Sequence, residues 1–140
     1  MKLVLDTNIL ISALIKDSTT RHLIIAIPAT LFYPEQALDE LIRNKQDIMT
    51  KAGMSEDVFK TIMTTLFKYI RLVKKEETDT CMEKARSIMD VRDPKDAIFV
   101  AAALFHHATI WSHDKDLHSQ PKISVMKTTD ILSNWNLLVK

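Results

Sequence analysis

The chain has one glycine, Gly53, in 140 residues. Glycine-rich phosphate cradles and dinucleotide fingerprints need several glycines at fixed spacing so that backbone can approach phosphate, which disfavours a nucleotide-loop enzyme. Cysteine is equally scarce. Cys81 alone excludes an internal disulfide framework and a multi-cysteine zinc site, and it fits a reducing cytoplasm. Long apolar runs are missing as well. Leu3-Val4-Leu5 is too short for a signal h-region, and the longest run, residues 97–105, falls far short of the ~20 residues that span a bilayer. A soluble, intracellular, cytoplasmic protein is expected, with no membrane partner. Excess charge of either sign is also absent: 19 basic against 18 acidic side chains leave a formal net charge of +1. Affinity for nucleic acid therefore cannot rest on bulk positive charge and would have to be local or metal-assisted.

What is present suits one domain, residues 1–140, with 46% hydrophobic content and a real core. Short apolar runs at residues 3–5, 31–33, 69–73, 109–112 and 123–126 read as strands. Between them lie expected helices at 8–15, at 21–27 (stopped by Pro28), and at 35–52 with a buried stripe of Leu38, Leu41, Ile42, Ile48 and Met49. Gly53 supplies a stop. A helix starting at Ser55 carries an apolar face of Val58, Phe59, Ile62, Met63, Leu66 and Phe67, and residues 74–77 read as a loop. Thr78 or Asp79 would cap a helix through Cys81, Ala85 and Met89. Asp93 as N-cap, Pro94 at the first position and Asp96 in the first turn open a helix to residue 107, and a last helix covers 129–135. This alternation predicts an α/β three-layer sandwich around a central, mostly parallel sheet.

Acids recur where such a sheet does chemistry. Asp6 follows the first strand, Asp114 and Asp116 follow the fourth, and Asp93 and Asp96 open the helix between them. Carboxyl ends of parallel strands share one edge, so these segments can converge. A carboxylate pair at ~5 Å and effective dielectric ~20 opposes ionisation by about 3 kcal/mol, so a cluster needs a cation or a raised pKa. Each acid also has a plain structural use. Asp6 and Asp93 suit helix caps, Asp114 and Asp116 suit turns, and Glu40 lies off the apolar stripe of its helix, as a solvent-facing charge would. No histidine pair has zinc spacing, and His106 and His107 sit at a helix end that favours a cation.

Asp6-Thr7-Asn8 after a strand, Leu38-Asp39-Glu40-Leu41 on a helix, Asp93-Pro94-Lys95-Asp96-Ala97 opening an alanine-rich helix, and Ser112-His113-Asp114-Lys115-Asp116-Leu117 together resemble the PIN-domain nucleases. The resemblance runs in order from residue 3 to about residue 131. It implies a PIN-like fold in which Asp6, Asp96 and Asp114 are metal-site acids and Glu40 completes the ligand set or orients water. Thr7 and Asn8 would shape the surroundings of Asp6, Ser112 would match a hydroxyl that orders the site, and Asp116 would be secondary. Serine at 112 departs mildly from the threonine many members carry.

The resemblance further implies a metal-dependent endoribonuclease cleaving single-stranded RNA. Carboxylates without histidine or cysteine are hard oxygen donors, suited to Mg²⁺ or Mn²⁺ rather than zinc. The short form looks like VapC-type toxins, which commonly form homodimers and are silenced by an antitoxin protein. An alternative is a non-catalytic PIN-like module that binds RNA or protein and keeps its acids as caps. A phosphatase using an aspartyl nucleophile is disfavoured, because Asn8 stands where that class carries its second aspartate. Lys16, Arg21, Arg43 and Lys45 are candidates to guide phosphate, with solvated surface charge as their ordinary role. His113 has a similar standing as a phosphate contact.

Overall fold

The computed structural model describes residues 1–15, 19–90 and 92–135. Five strands, β1 (Lys2–Leu5), β2 (Thr30–Pro34), β3 (Ile70–Val73), β4 (Thr109–Trp111) and β5 (Val125–Met126), form one parallel sheet in the order β3-β2-β1-β4-β5. β1 is central, with Leu3 paired to Leu31 on one side and to Thr109 on the other. Its successive residues Leu3, Val4 and Leu5 are all fully buried. Alternate side chains of a strand point to opposite faces, so both faces of the sheet are covered.

The covers are two groups of helices. α1 (Thr7–Ile15) packs on α2 (Thr19–Ala26), α3 (Leu38–Arg43), α4 (Lys45–Ala52) and α5 (Glu56–Leu66). α6 (Lys75–Asp79) and α7 (Met82–Ile88) pack on α8 (Ala97–His106), which itself lies on β1, β2 and β4. Ala97, Ala101, Ala102 and Ala103 are buried in α8, and these small side chains let a helix lie close to the strands. Two short helices, α9 (Lys115–Ser119) and α10 (Thr128–Ser133), flank β5. The α/β sandwich expected from the sequence is the observed fold.

The strand order decides where a site can form. The chain moves outward from β1 to β2 and β3, then crosses to the other side of β1 for β4 and β5. A topological switch point therefore lies between β1 and β4, and the crevice beyond their carboxyl ends is where such sheets bind ligands.

Several local expectations are corrected. The long helix over 35–52 is a 3₁₀ turn (Glu35–Ala37), then α3 and α4, interrupted at Asn44. Asn44 Nδ2 donates to the Glu40 carbonyl at 2.9 Å, an asparagine competing with the helix for its own backbone. Leu41 and Ile48, seven residues apart, stay buried on one face, whereas Ile42, about 100° round from Leu41, is 62% exposed rather than part of the buried stripe. Val58, placed on the apolar face of its helix, is also exposed, while Phe59 and Leu66 are buried. Residues 74–77 are not a loop, because α6 forms there. The Glu35 carboxylate accepts from Lys75 N at 3.0 Å, Glu77 accepts from Lys74 N at 3.1 Å, and Lys75 pairs with Asp79 at 3.0 Å. Thr78 lies buried inside α6, bonded to Gln36 and to the Lys75 carbonyl, and caps nothing downstream.

Candidate active site

Asp6 is the first residue past β1, and its backbone N–H still extends the ladder to the Trp111 carbonyl at 3.1 Å. Its carboxylate is buried at the switch point and accepts the Ser112 hydroxyl at 2.6 Å through Oδ2. Burial pushes the Asp6 pKa up, the bonds from Ser112 and the Asn8 backbone pull against it, and the charge of Asp114 adds to the rise. Ser112, itself fully buried, also accepts from Asp114 N at 2.9 Å. One hydroxyl thus ties the acid after β1 to the turn after β4. His118 holds the same turn from behind, donating from Nε2 to the Ser112 carbonyl at 2.7 Å.

Asp93 and Asp96 arrive on the turn that opens α8. Asp93 caps it, accepting from Lys95 N at 3.0 Å, with Pro94 next in line as the sequence leads one to expect. Asp96 faces inward. Its Oδ2 is buried and has no hydrogen-bond partner, in contrast to the great majority of buried polar atoms. Burial first, then the charges of Asp114, Asp6, Asp93 and Asp116, push its carboxyl up to about 7. Asp114 caps α9, with Oδ1 accepting from Asp116 N at 2.8 Å and Leu117 N at 3.2 Å.

Glu40 comes from the opposite side, on α3, and is solvent-exposed. A buried relay sets the position of its segment. Thr7 Oγ1 lies 2.8 Å from the Tyr33 hydroxyl, which donates to the Ala37 carbonyl at 3.1 Å, so Thr7 is the donor to Tyr33. Burial keeps that phenol well above its ordinary pKa, and the charge of Glu40 adds to the effect, so it stays a neutral donor.

Asp6, Glu40, Asp93, Asp96 and Asp114 all line one hollow of about 210 Å³, with Thr7, Asn8, Lys95 and Phe99. The closest convergence of ligand atoms among the described residues is a different trio: oxygens of Asp96, Asp114 and Asp116 lie within 4.8 Å of one another. Asp116, given a secondary role from sequence, thus stands nearer to Asp96 and Asp114 than its exposed turn position suggests. Other candidates have other partners. Arg21 donates to the Ala13 and Leu14 carbonyls, Lys45 pairs with Glu56 at 2.8 Å, and Lys16 lies outside the described residues. His113 Nε2 is 2.9 Å from Thr128 Oγ1, which also accepts from the Trp111 indole at 3.0 Å. Tyr33 and Arg92 were missed by sequence reasoning. Arg92 donates to Ser119 Oγ (2.8 Å), the Ser119 carbonyl (3.2 Å) and the Ile88 carbonyl (3.0 Å), clamping the Asp93–Asp96 turn beside the end of α9.

Among curated proteins no relative matches the chain. Solved structures similar in fold include VapBC2 from Rickettsia felis, bound to a DNA fragment from its promoter. That likeness has a TM-score of 0.67 at 14% identity and covers 91% of this chain and 98% of the other. A toxin–antitoxin complex from Klebsiella pneumoniae gives a TM-score of 0.64 at 17% identity, covering 89% and 95%. At such identities the likeness speaks to the fold. The sequence goes further, for a model of the PIN domain matches residues 4–132, from the first strand through every acid of the hollow to α10. The chain belongs to the PIN domain family.

Proposed function

We propose that this protein is a metal-dependent endoribonuclease that hydrolyses phosphodiester bonds of single-stranded RNA, with residues 1–140 forming one catalytic domain. The observation that carries the reading is the buried, unpartnered Oδ2 of Asp96, facing other carboxylates brought from separate parts of the chain. A buried lone acceptor among like charges is costly unless a cation joins it. The donor set is oxygen only, which fits Mg²⁺ or Mn²⁺. Asp6, Asp96 and Asp114 would hold the ion, with Asp116 or Glu40 completing the set. When bound, it would offset phosphate repulsion and make a water easier to deprotonate.

The remaining work falls to the chain. Ser112 holds Asp6 and the Asp114 turn in one register. Glu40, exposed and lining the hollow, would orient the attacking water and receive its proton. The water oxygen bonds to phosphorus, the bond to the leaving ribose oxygen breaks, and that oxygen takes a proton from solvent.

The biological setting proposed is that of a cytoplasmic VapC-type toxin that forms a homodimer and is held inactive by an antitoxin. Support comes from the two fold neighbours, both of them toxin–antitoxin assemblies. No helix among the described residues is long and apolar enough to cross a membrane, which is consistent with that setting.

The test incubates the protein and its Asp6→Asn, Asp96→Asn double variant with mixed-sequence single-stranded RNA and Mn²⁺, with EDTA controls, and maps the ends produced. Cleavage lost in the folded variant and under EDTA is the expected result. Cleavage that survives both would refute the proposal.

A further inference from the structure

The acid hollow opens onto a second, larger cavity. A groove of about 530 Å³ shares Glu40, Lys95 and Phe99 with it and extends past Gln36, Arg43 and Ile98. Its volume lies within the ~300–1,000 Å³ typical of sites that hold a small ligand. The character of the lining changes between the two. The hollow carries five carboxylates against Lys95 alone, whereas the groove carries Arg43 and Lys95 against Glu40 alone.

These two cations are distinguished by their place, lining the groove beside the acids, and neither is committed elsewhere among the described residues. Arg21 is committed to the end of α1 and Lys45 to Glu56. Among the described residues, the Arg43 guanidinium and the Lys95 ammonium have no hydrogen bond or ion pair. Lys95 is held in place by its backbone bond to the Asp93 cap, so its side chain leaves a fixed turn. Arg43 ends α3, one turn beyond Glu40.

We infer that this groove is a phosphate subsite, in which Arg43 and Lys95 hold the backbone of the nucleotide next to the bond being cut on a single-stranded RNA. The inference rests on the ribonuclease reading above. An RNA strand entering a pocket of carboxylates meets repulsion at every phosphate, and a cation in the acid site offsets it only there. Flanking phosphates need their own counter-charges, and the unengaged pair stands where the strand would leave the hollow. Guanidinium offers a planar fork to two phosphate oxygens and ammonium a point charge, so the two are complementary. Half-buried Ile98 beside buried Phe99 gives the groove an apolar floor for sugar or base. A protein segment would most naturally bring cations to the acids, and those would meet Arg43 and Lys95 as like charges. The free charges therefore favour an anionic strand.

The test measures binding of a fluorescein-labelled, mixed-sequence single-stranded RNA by anisotropy, in an Asp6→Asn background, across a series of KCl concentrations. Arg43→Ala and Lys95→Ala should each reduce the slope of log affinity against log salt by about 0.7, the single-strand value per phosphate contact. The double variant should lose affinity by at least tenfold at low salt, and Lys95→Arg should keep the slope. In cleavage by otherwise unaltered protein, the loss should fall on KM more than on kcat. Unchanged affinity and slope in the double variant, while the wild-type protein still cleaves RNA, would overturn the subsite, leave the nuclease reading standing and return the groove to a protein occupant. A wild-type protein that neither cleaves nor binds RNA would bring down both.

Discussion

Removing the charge of Asp96 should make the metal-free protein more stable. Its carboxyl moves from an ordinary 3.8 in the unfolded chain to about 7 in the fold, chiefly through burial. The folded state then keeps a proton that the unfolded chain releases between pH 4 and pH 7. Folding becomes less favourable as pH rises through that window and levels off above it, for a total of about 4 kcal/mol at 1.36 kcal/mol per pH unit. Asp96→Asn abolishes this penalty, and a poorly paired amide returns about 1–2 kcal/mol of it. The net gain at pH 8 should be about 2–3 kcal/mol, or roughly 8–12 °C in Tm for a domain of this size. Thermal unfolding in EDTA at pH 4.5, 6 and 8 measures it directly, and the gain should nearly vanish at pH 4.5. Mn²⁺ at 100 times its Kd adds about 2.7 kcal/mol to the wild type alone and should roughly cancel the gain, and at 1,000 times its Kd, worth about 4.1 kcal/mol, it should reverse the order. A variant no more stable than wild type at pH 8 in EDTA would refute the view of Asp96 as an uncompensated buried charge.

Three other outcomes follow from the same geometry. Ser112→Ala removes the hydroxyl that lowers the Asp6 pKa, so carboxyl titration by carbon-13 NMR should show Asp6 releasing its proton at higher pH, with about 1–3 kcal/mol of stability lost in urea melts. Arg92→Ala breaks the clamp on Ser119 and Ile88, and should lower stability by about 2–3 kcal/mol and shrink the Mn²⁺-dependent rise in Tm. Lysine at 92 cannot form that fork and should rescue little. His107→Gly should raise stability by up to about 1 kcal/mol in chemical denaturation, because His107 ends α8 at φ 53° in a left-handed conformation that favours glycine.

The sequence exposed those features that local chemistry determines. An apolar run ended by Asp6, and a proline between two aspartates ahead of an alanine-rich helix, each state their geometry within a few residues. The acid after β4 was legible for the same reason. What escaped depends on partners far along the chain. The 74–77 segment looked like a polar loop because part of its cap comes from Glu35, 40 residues away, and the hydroxyl relay joins Thr7 to Tyr33 across 26. Ile42 was misplaced because the face that packs is narrower than the apolar stripe, admitting Leu41 and Ile48 but not the residue one step round the helix. Asp116 joined Asp96 and Asp114 through the shape of a turn that spacing alone does not fix.

The bond from Ser112 to Asp6 closes across 106 residues. During synthesis at roughly 5–20 residues per second, Asp6 emerges about 5 to 20 s before the hydroxyl that must hold it has been made. Until then β1 has no β4 beside it, and the carboxylates have not been gathered into one place. The acid centre is therefore assembled only once β4 and the turn after it have been made, and a chain cut short before β4 would carry Asp6, Glu40, Asp93 and Asp96 without the hydroxyl and the Asp114 turn that complete the site.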